Sequence, residues 1–133
     1  MKVMRLADSG KSPELVEATL PDPQPGPGQV LVRVSAAGIT PTELVWYPTT
    51  HDHAGAARTG AVPSHEFSGT VAAVGSGVVD FIPGQTIFGM NDWFAQGALA
   101  ELCLTEATSI APAPITLNPI QAASVPIGAL TAW

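Results

Sequence analysis

The sequence predicts a mainly β domain, a small, partly open β-barrel carrying a few short helices. Short runs of β-branched and apolar residues recur along the 133 residues, and most are bounded by glycine or proline at turn positions. Helix-start chemistry, by contrast, is found at only two places, Thr40-Pro41 and Asn118-Pro119. The length fits one domain with a sizeable core and is too short for two full domains.

Met1 to Ala7 and Leu15 to Leu20 read as an opening hairpin, split by the turn signal Asp8-Ser9-Gly10. Pro21 to Gly28, PDPQPGPG, holds too many prolines for a sheet interior and forms a stiff extended surface connection. Gln29 to Ala37 sets Val30, Val32, Val34 and Ala36 against Leu31, Arg33 and Ser35, the clearest strand of the first half. A short helix follows, because Thr40 with Glu43 three residues on is a capping-box pattern, and Pro41 sits where a missing N–H costs nothing. In this reading Thr40 is an N-cap whose hydroxyl bonds a backbone N–H, and Pro48 stops the helix. Tyr47 to Val62 has no periodicity and is an irregular loop of a length that tends to be functional.

Pro63 to Gly89 is the stretch around which the rest is organised. It reads as two strands, with a hairpin turn at Gly75-Ser76-Gly77 and a second turn at Pro83-Gly84. Phe67, Gly69, Val71 and Ala73 share one face, and Ser68, Thr70, Ala72 and Val74 the other. The second face is so weakly polar that both should be partly covered. Gly97 to Thr105 is a further strand, Ser109 to Ala111 a last one, and Asn118 caps a helix running to about Ser124 that Pro126 and Gly128 interrupt. No charged residue occurs from Ala107 to Trp133, but Pro112, Pro114, Pro119 and Pro126 make a membrane span implausible. The segment reads as a buried linker whose Val125, Ile127, Leu130 and Trp133 dock onto more protein.

The formal charge of −6, with Lys2, Arg5, Lys11, Arg33 and Arg58 scattered, argues against a nucleic-acid partner. Cys103, the only cysteine, excludes an internal disulfide and a multi-cysteine zinc site, and fits a reducing compartment, the cytoplasm. Mid-strand among apolar residues, it should be packed rather than nucleophilic. His65 is the best single candidate for chemistry, since it lies where a long loop enters a strand and imidazole titrates near neutral pH; the alternative is a histidine that caps the strand end. Glu66 points to the opposite side, toward an arginine, a backbone amide or a ligand. His51-Asp52-His53 has metal-ligand residues, but no spacing fixes a third or fourth ligand and a solvated loop is the better reading. Gly75-Ser76-Gly77 lacks the third glycine and following helix of a dinucleotide fingerprint.

AAGITPTEL (36–44), PSHEFSGTVAAVGSGV (63–78), DFIPGQTIFG (80–89), GALAELCL (97–104) and AASVPIGALTAW (122–133) occur in an order and spacing that resembles the N-terminal GroES-like domain of medium-chain dehydrogenases/reductases. The resemblance covers nearly the whole chain and is greater to the zinc-independent quinone oxidoreductase and enone reductase branch. Thr40 stands where zinc enzymes carry a catalytic cysteine, the four cysteines of a structural-zinc lobe are absent, and Gln85 replaces a usual aspartate; His65 and Glu66 match the family's His-Glu pair. The resemblance implies a GroES-like, partly open barrel lacking the Rossmann domain, with residues 1–124 as the substrate-side domain and 125–133 as the start of a linker to an absent nucleotide-binding domain. It implies hydride transfer from NADPH, held mainly by that absent domain, to a quinone or an activated alkene, with no zinc and no activity in isolation. Thr40 faces the nicotinamide, Tyr47 donates a hydrogen bond to a developing enolate, His65 completes the catalytic set, and Thr131 lies near the cofactor. The implied partners are the small-molecule substrate and the Rossmann domain, or a neighbouring copy, at the C-terminal surface, with neither nucleic acid nor membrane. Two other readings stand beside this one: a free-standing β-barrel that acts as a binding or assembly module and, third, a zinc alcohol dehydrogenase.

Overall fold

The computed structural model describes residues 1–7 and 13–133. The predicted turn at Asp8-Ser9-Gly10 therefore lies outside the described residues. Strands β1 (Lys2–Leu6) and β2 (Leu15–Thr19) pair antiparallel, as the opening hairpin requires. A second, five-stranded antiparallel sheet comprises β3 (Gln29–Gly38), β4 (Glu66–Val74), β5 (Thr86–Met90), β6 (Leu102–Glu106) and β7 (Ile110–Pro112) in the order β6-β3-β4-β5-β7. The sheets do not close on each other by a continuous ladder. Backbone bonds from Met4 to Leu99 and from Glu101 to Lys2 join them at one corner, giving the partly open barrel expected of a GroES-like domain.

The core lies between the strands, where Val30, Val32, Phe67, Val71, Ile87, Ala98 and Cys103 pack together. The alternation read for Gln29–Ala37 is broken by shifts in register between Leu31 and Val32 and between Val34 and Ala36. Such bulges bend a strand and raise its local twist, which lets β3 serve as the curved centre of the sheet. On the outer face, α2 (Pro119–Ala123) covers β3 and β4. Ala122 and Ala123 are buried there, and the Ser68 hydroxyl donates to the Pro119 carbonyl at 2.7 Å. The prediction that both faces of β4 are covered is thus met, and the Asn118 cap forms a complete capping box with Gln121.

Several local expectations fail for identifiable reasons. Gly75-Ser76-Gly77 does not turn β4 into β5: Gly75 donates to Gln29 and Gly28 to Ser76, so the turn closes against the proline-rich connection. A Cβ on Gly75 would collide with the Gly26 carbonyl oxygen. The β4–β5 pairing instead ends at Thr70–Thr86, and Gly84 donating to Val71 holds the second turn. The strand predicted over 97–105 begins only at Leu102, because Gly97, Ala98 and Leu99 donate to Val62, Ser64 and Pro63 and thereby leave the sheet. Pro48 does not stop a helix; it sits in the first turn of α1 (Tyr47–Thr50), where proline is tolerated, and a separate 3-10 turn occupies Pro41–Val45. Pro126 likewise opens a helix, α3 (Pro126–Ala132), rather than interrupting one. In the uncharged tail Leu130 is 64% exposed and Trp133 fully so. Among the described residues no helix is long and apolar enough to cross a membrane.

Candidate functional site

His65 is the residue immediately before β4, and Glu43 projects from the 3-10 turn that follows β3. Their side chains meet in the interior: His65 is 1% exposed and Glu43 0%. His65 Nδ1 lies 2.5 Å from Glu43 Oε1, which also accepts the Ser64 backbone N–H at 2.6 Å. Ser64 reaches this position through a left-handed backbone, φ 75°, that an L-residue adopts at a cost of about 1 kcal/mol or more. Its hydroxyl donates to the Gly38 carbonyl at 2.7 Å, so the conformation is held from both sides. The twist aims the Ser64 amide and the His65 ring at one carboxylate oxygen. The turn bearing Glu43 is itself fixed by the Thr49 hydroxyl, which donates to the Glu43 carbonyl at 2.7 Å.

Trp93 leans on the imidazole at 5.2 Å between ring centroids, and Trp46 meets Trp93 edge-on at 5.1 Å. The far ring nitrogen of His65, Nε2, and the second carboxylate oxygen of Glu43, Oε2, are both buried and have no hydrogen-bond partner among the described residues. With Nδ1–H given to the carboxylate, Nε2 is the ring atom left to accept or release a proton. The arrangement can therefore hold one proton at Nε2 beside an aromatic wall. Glu66 turns the other way, as strand alternation requires, and its Oε2 accepts the Ile127 N–H at 3.0 Å at the start of α3. Of the destinations left open for Glu66, the structure shows the backbone amide.

The remaining sequence-predicted residues are placed as follows. Thr40 is half-buried at the head of the 3-10 turn and does not make the predicted side-chain cap; its hydroxyl is 3.3 Å from that of Thr42, and its carbonyl takes the Glu43 N–H. Glu43 cannot complete a capping box, because its side chain is committed to His65 and Ser64. Tyr47 is exposed and lies flat on His51, with ring centroids 4.3 Å apart and planes 7° from parallel. Thr131 is on the exposed surface of α3. The metal-like triplet disperses: His51 bonds the Thr50 hydroxyl, Asp52 accepts the amides of Ala54 and Ala56, and His53 stacks on Phe94. No three His, Cys, Asp or Glu side chains converge on a metal-sized site among the described residues. A zinc donor set built on His65 would need further ligands, and Cys103 is buried in the core instead, its thiol pushed up to about 12 by burial against a smaller opposing effect of a hydrogen bond from Asn91.

Sequence reasoning missed Glu43, Ser64, Trp46 and Trp93 as members of the site. Glu43 carried a usable signal, being the only charged residue between Arg33 and Asp52. A lone carboxylate in an uncharged stretch has either solvent or a partner, and the partner was the histidine already singled out.

Fold and site together define a GroES-like domain of the kind found in medium-chain dehydrogenases/reductases. The chain belongs to the alcohol dehydrogenase GroES-like domain family, whose model matches residues 26–115. It is similar to the mitochondrial NAD(P)H oxidoreductase RTN4IP1 of Dictyostelium discoideum, 28% identical over 140 residues that cover 100% of this chain and 39% of the relative. It is 29% identical to the quinone oxidoreductase of Rattus norvegicus over 134 residues, 99% of this chain and 39% of that one. An alcohol dehydrogenase superfamily protein from Novosphingobium aromaticivorans superimposes with a TM-score of 0.86 at 29% identity, over 100% of this chain and 40% of that structure. The chain thus spans about two fifths of the length of the relatives it matches.

Proposed function

We propose that this chain is the substrate-side domain of an NADPH-dependent oxidoreductase that reduces quinones or activated alkenes and works with a nucleotide-binding domain packed beyond residue 124. The observation that carries the proposal is the buried Glu43–His65 pair with its unpartnered Nε2. Bound NADPH supplies a hydride, and the reduced substrate then needs one proton to become a hydroquinone or a saturated carbonyl compound. His65 is a group that can deliver that proton from Nε2, with Glu43 orienting the ring. Trp93 and Trp46 offer an apolar wall that excludes water from one side of the imidazole.

Thr40 offers a hydroxyl to the nicotinamide side, Tyr47 one to a developing enolate, and Thr131 lies on the helix nearest the proposed cofactor surface. The exposed Leu130 and Trp133 on α3, with Ile120 on α2, support docking of a further domain at that end. They weigh against a self-sufficient binding module, which would fold such residues onto its own core. The scattered donor set described above supports chemistry without zinc.

The test is oxidation of NADPH by the protein carrying this domain together with its nucleotide-binding domain, using menadione and cyclohexenone as acceptors. One NADPH should be consumed per acceptor reduced, in an enzyme stripped of metal by chelation. Acceptor-independent inertness, or activity that returns only with stoichiometric zinc, would overturn the reading.

A further inference from the structure

His65 is 1% exposed, and its Nε2 is sealed from solvent with no hydrogen-bond partner among the described residues. A proton-handling atom buried in this way is reached from outside only if something that covers it moves. The aromatic ring lying against the imidazole is that of Trp93. Trp93 belongs to residues 92–96, which leave the sheet after β5 and return at Gly97.

Both feet of this segment are bonded to the strand entry that carries His65. The Asn91 N–H donates to the His65 carbonyl at 2.7 Å, and the Gly97 N–H donates to the Val62 carbonyl at 2.7 Å. Gly97 also approaches the Pro63 carbonyl so closely that a Cβ would collide with it, which fixes that foot firmly. Between the feet the chain folds on itself. The Ala95 N–H donates to the Asp92 carbonyl at 3.0 Å, and the Phe94 N–H to the Asp92 carboxylate at 2.8 Å. No backbone–backbone bond joins residues 92–96 to another segment among the described residues.

Apart from His65 itself, the ring and polar contacts that hold the tip come from one loop, residues 46–58. Trp46 meets Trp93, and His53 stacks on Phe94 with its Nε2 3.8 Å from the Asp92 carboxylate. Arg58 bridges the two segments, Nη1 donating to the Pro48 carbonyl at 2.7 Å and Nη2 to the Ala95 carbonyl at 3.2 Å. A segment with firm feet and a tip pinned by a few side chains opens at lower cost than the sheet beneath it.

We propose that residues 92–96 form a flap, standing on Asn91 and Gly97 and latched by Arg58, that closes Trp93 over His65 and lifts to admit small molecules to the imidazole. Its use in catalysis rests on the proton delivery proposed above; its opening does not.

The test is carbethoxylation of His65 by diethyl pyrocarbonate in the full chain, read by peptide mass spectrometry, with iodoacetamide labelling of the buried Cys103 as the gauge of global unfolding. In the native chain His65 should react more slowly than His53, whose side chain is 76% exposed, yet faster than Cys103 is labelled. Arg58→Ala removes a charge-assisted bond to the tip and should speed the His65 reaction about tenfold. Trp93→Ala should speed it at least as much, with Cys103 still protected in both variants. Hydrogen exchange on the native chain covers the case in which a variant does not fold: the Phe94 and Ala95 amides should exchange faster than those of Asn91 and Gly97. His65 reacting only as fast as Cys103, a rate indifferent to both substitutions, or uniform exchange across 91–97 would overturn the flap. None of these readouts needs NADPH or an acceptor, so a flap that fails in an active enzyme is distinguished from one that opens in an inert protein.

Discussion

The Glu66 carboxylate accepts the backbone N–H of Ile127, tying the first residue of β4 to the first turn of α3 across 61 positions of sequence. His65 and Glu66 are adjacent, so one strand entry both positions the proton-holding imidazole and anchors the helix at the proposed cofactor side. Gly38 pairs with Glu66 in the ladder, and a Cβ there would run into the Glu66 carboxyl group. Gly38→Ala should therefore push Glu66 off the Ile127 amide. Hydrogen exchange should show Ile127 and the following amides of α3 losing protection, while β3 and β4 keep theirs. Unchanged protection in α3 would mean that the helix is held by packing alone.

Glu43 gives the site its sharpest stability signature. Removing one member of a buried, hydrogen-bonded pair leaves the other uncompensated, at a typical cost of 3–5 kcal/mol. Glu43→Ala is expected to destabilise the chain by about 3 kcal/mol in denaturant unfolding. Glu43→Gln, whose amide oxygen can still accept from Ser64 and His65, should recover much of that loss. Equal damage from both variants would show that the charge matters more than the two bonds.

Cys103 supplies the pH dependence. Burial pushes its thiol from 9.0 up to about 12 in the folded chain, so the folded state holds the proton more tightly than the unfolded state does. The resulting stability is fully present below pH 9 and is lost progressively as pH rises from about 9 toward 12. Comparison of Cys103→Ala with the native chain should isolate this fall, the variant lacking it. In the native chain, iodoacetamide at pH 8 should label Cys103 only at the rate of unfolding.

At α2 the prediction is simpler. Asn118 accepts the Gln121 N–H, and Gln121 reciprocates at the Asn118 N–H. Asn118→Ala should cost about 1 kcal/mol. The midpoint of denaturation should shift without a change in slope, because α2 stays docked through Ala122, Ala123 and Ser68.

How much of this could be read from residues alone differs from element to element. β3 and β4 were legible because alternation and β-branching state a strand directly, and the Asn118-Pro119 start was legible because a cap is a local device. The site was half legible. His65 was visible at a loop-to-strand junction, but Glu43 was assigned to a capping box, a local pattern that here loses to a tertiary contact with His65. Nothing local marks Ser64 as left-handed, since serine rarely adopts that backbone and the reason for it is a carboxylate 21 positions earlier. Gly75 misled similarly: its small size serves the close approach to Gly26 rather than a hairpin. The late start of the 97–105 strand comes from bonds to 62–64, a partner that no spacing announces.

The most direct measurement of the central claim is steady-state NADPH oxidation with menadione, comparing native and His65→Gln forms of the protein that carries this domain with its nucleotide-binding partner. Proton delivery by a positioned side chain is worth about 10²–10⁴-fold, so kcat should fall by about 100-fold or more while the KM for NADPH changes little. A native protein without quinone-dependent NADPH oxidation, or a His65→Gln form with undiminished kcat, would contradict the account.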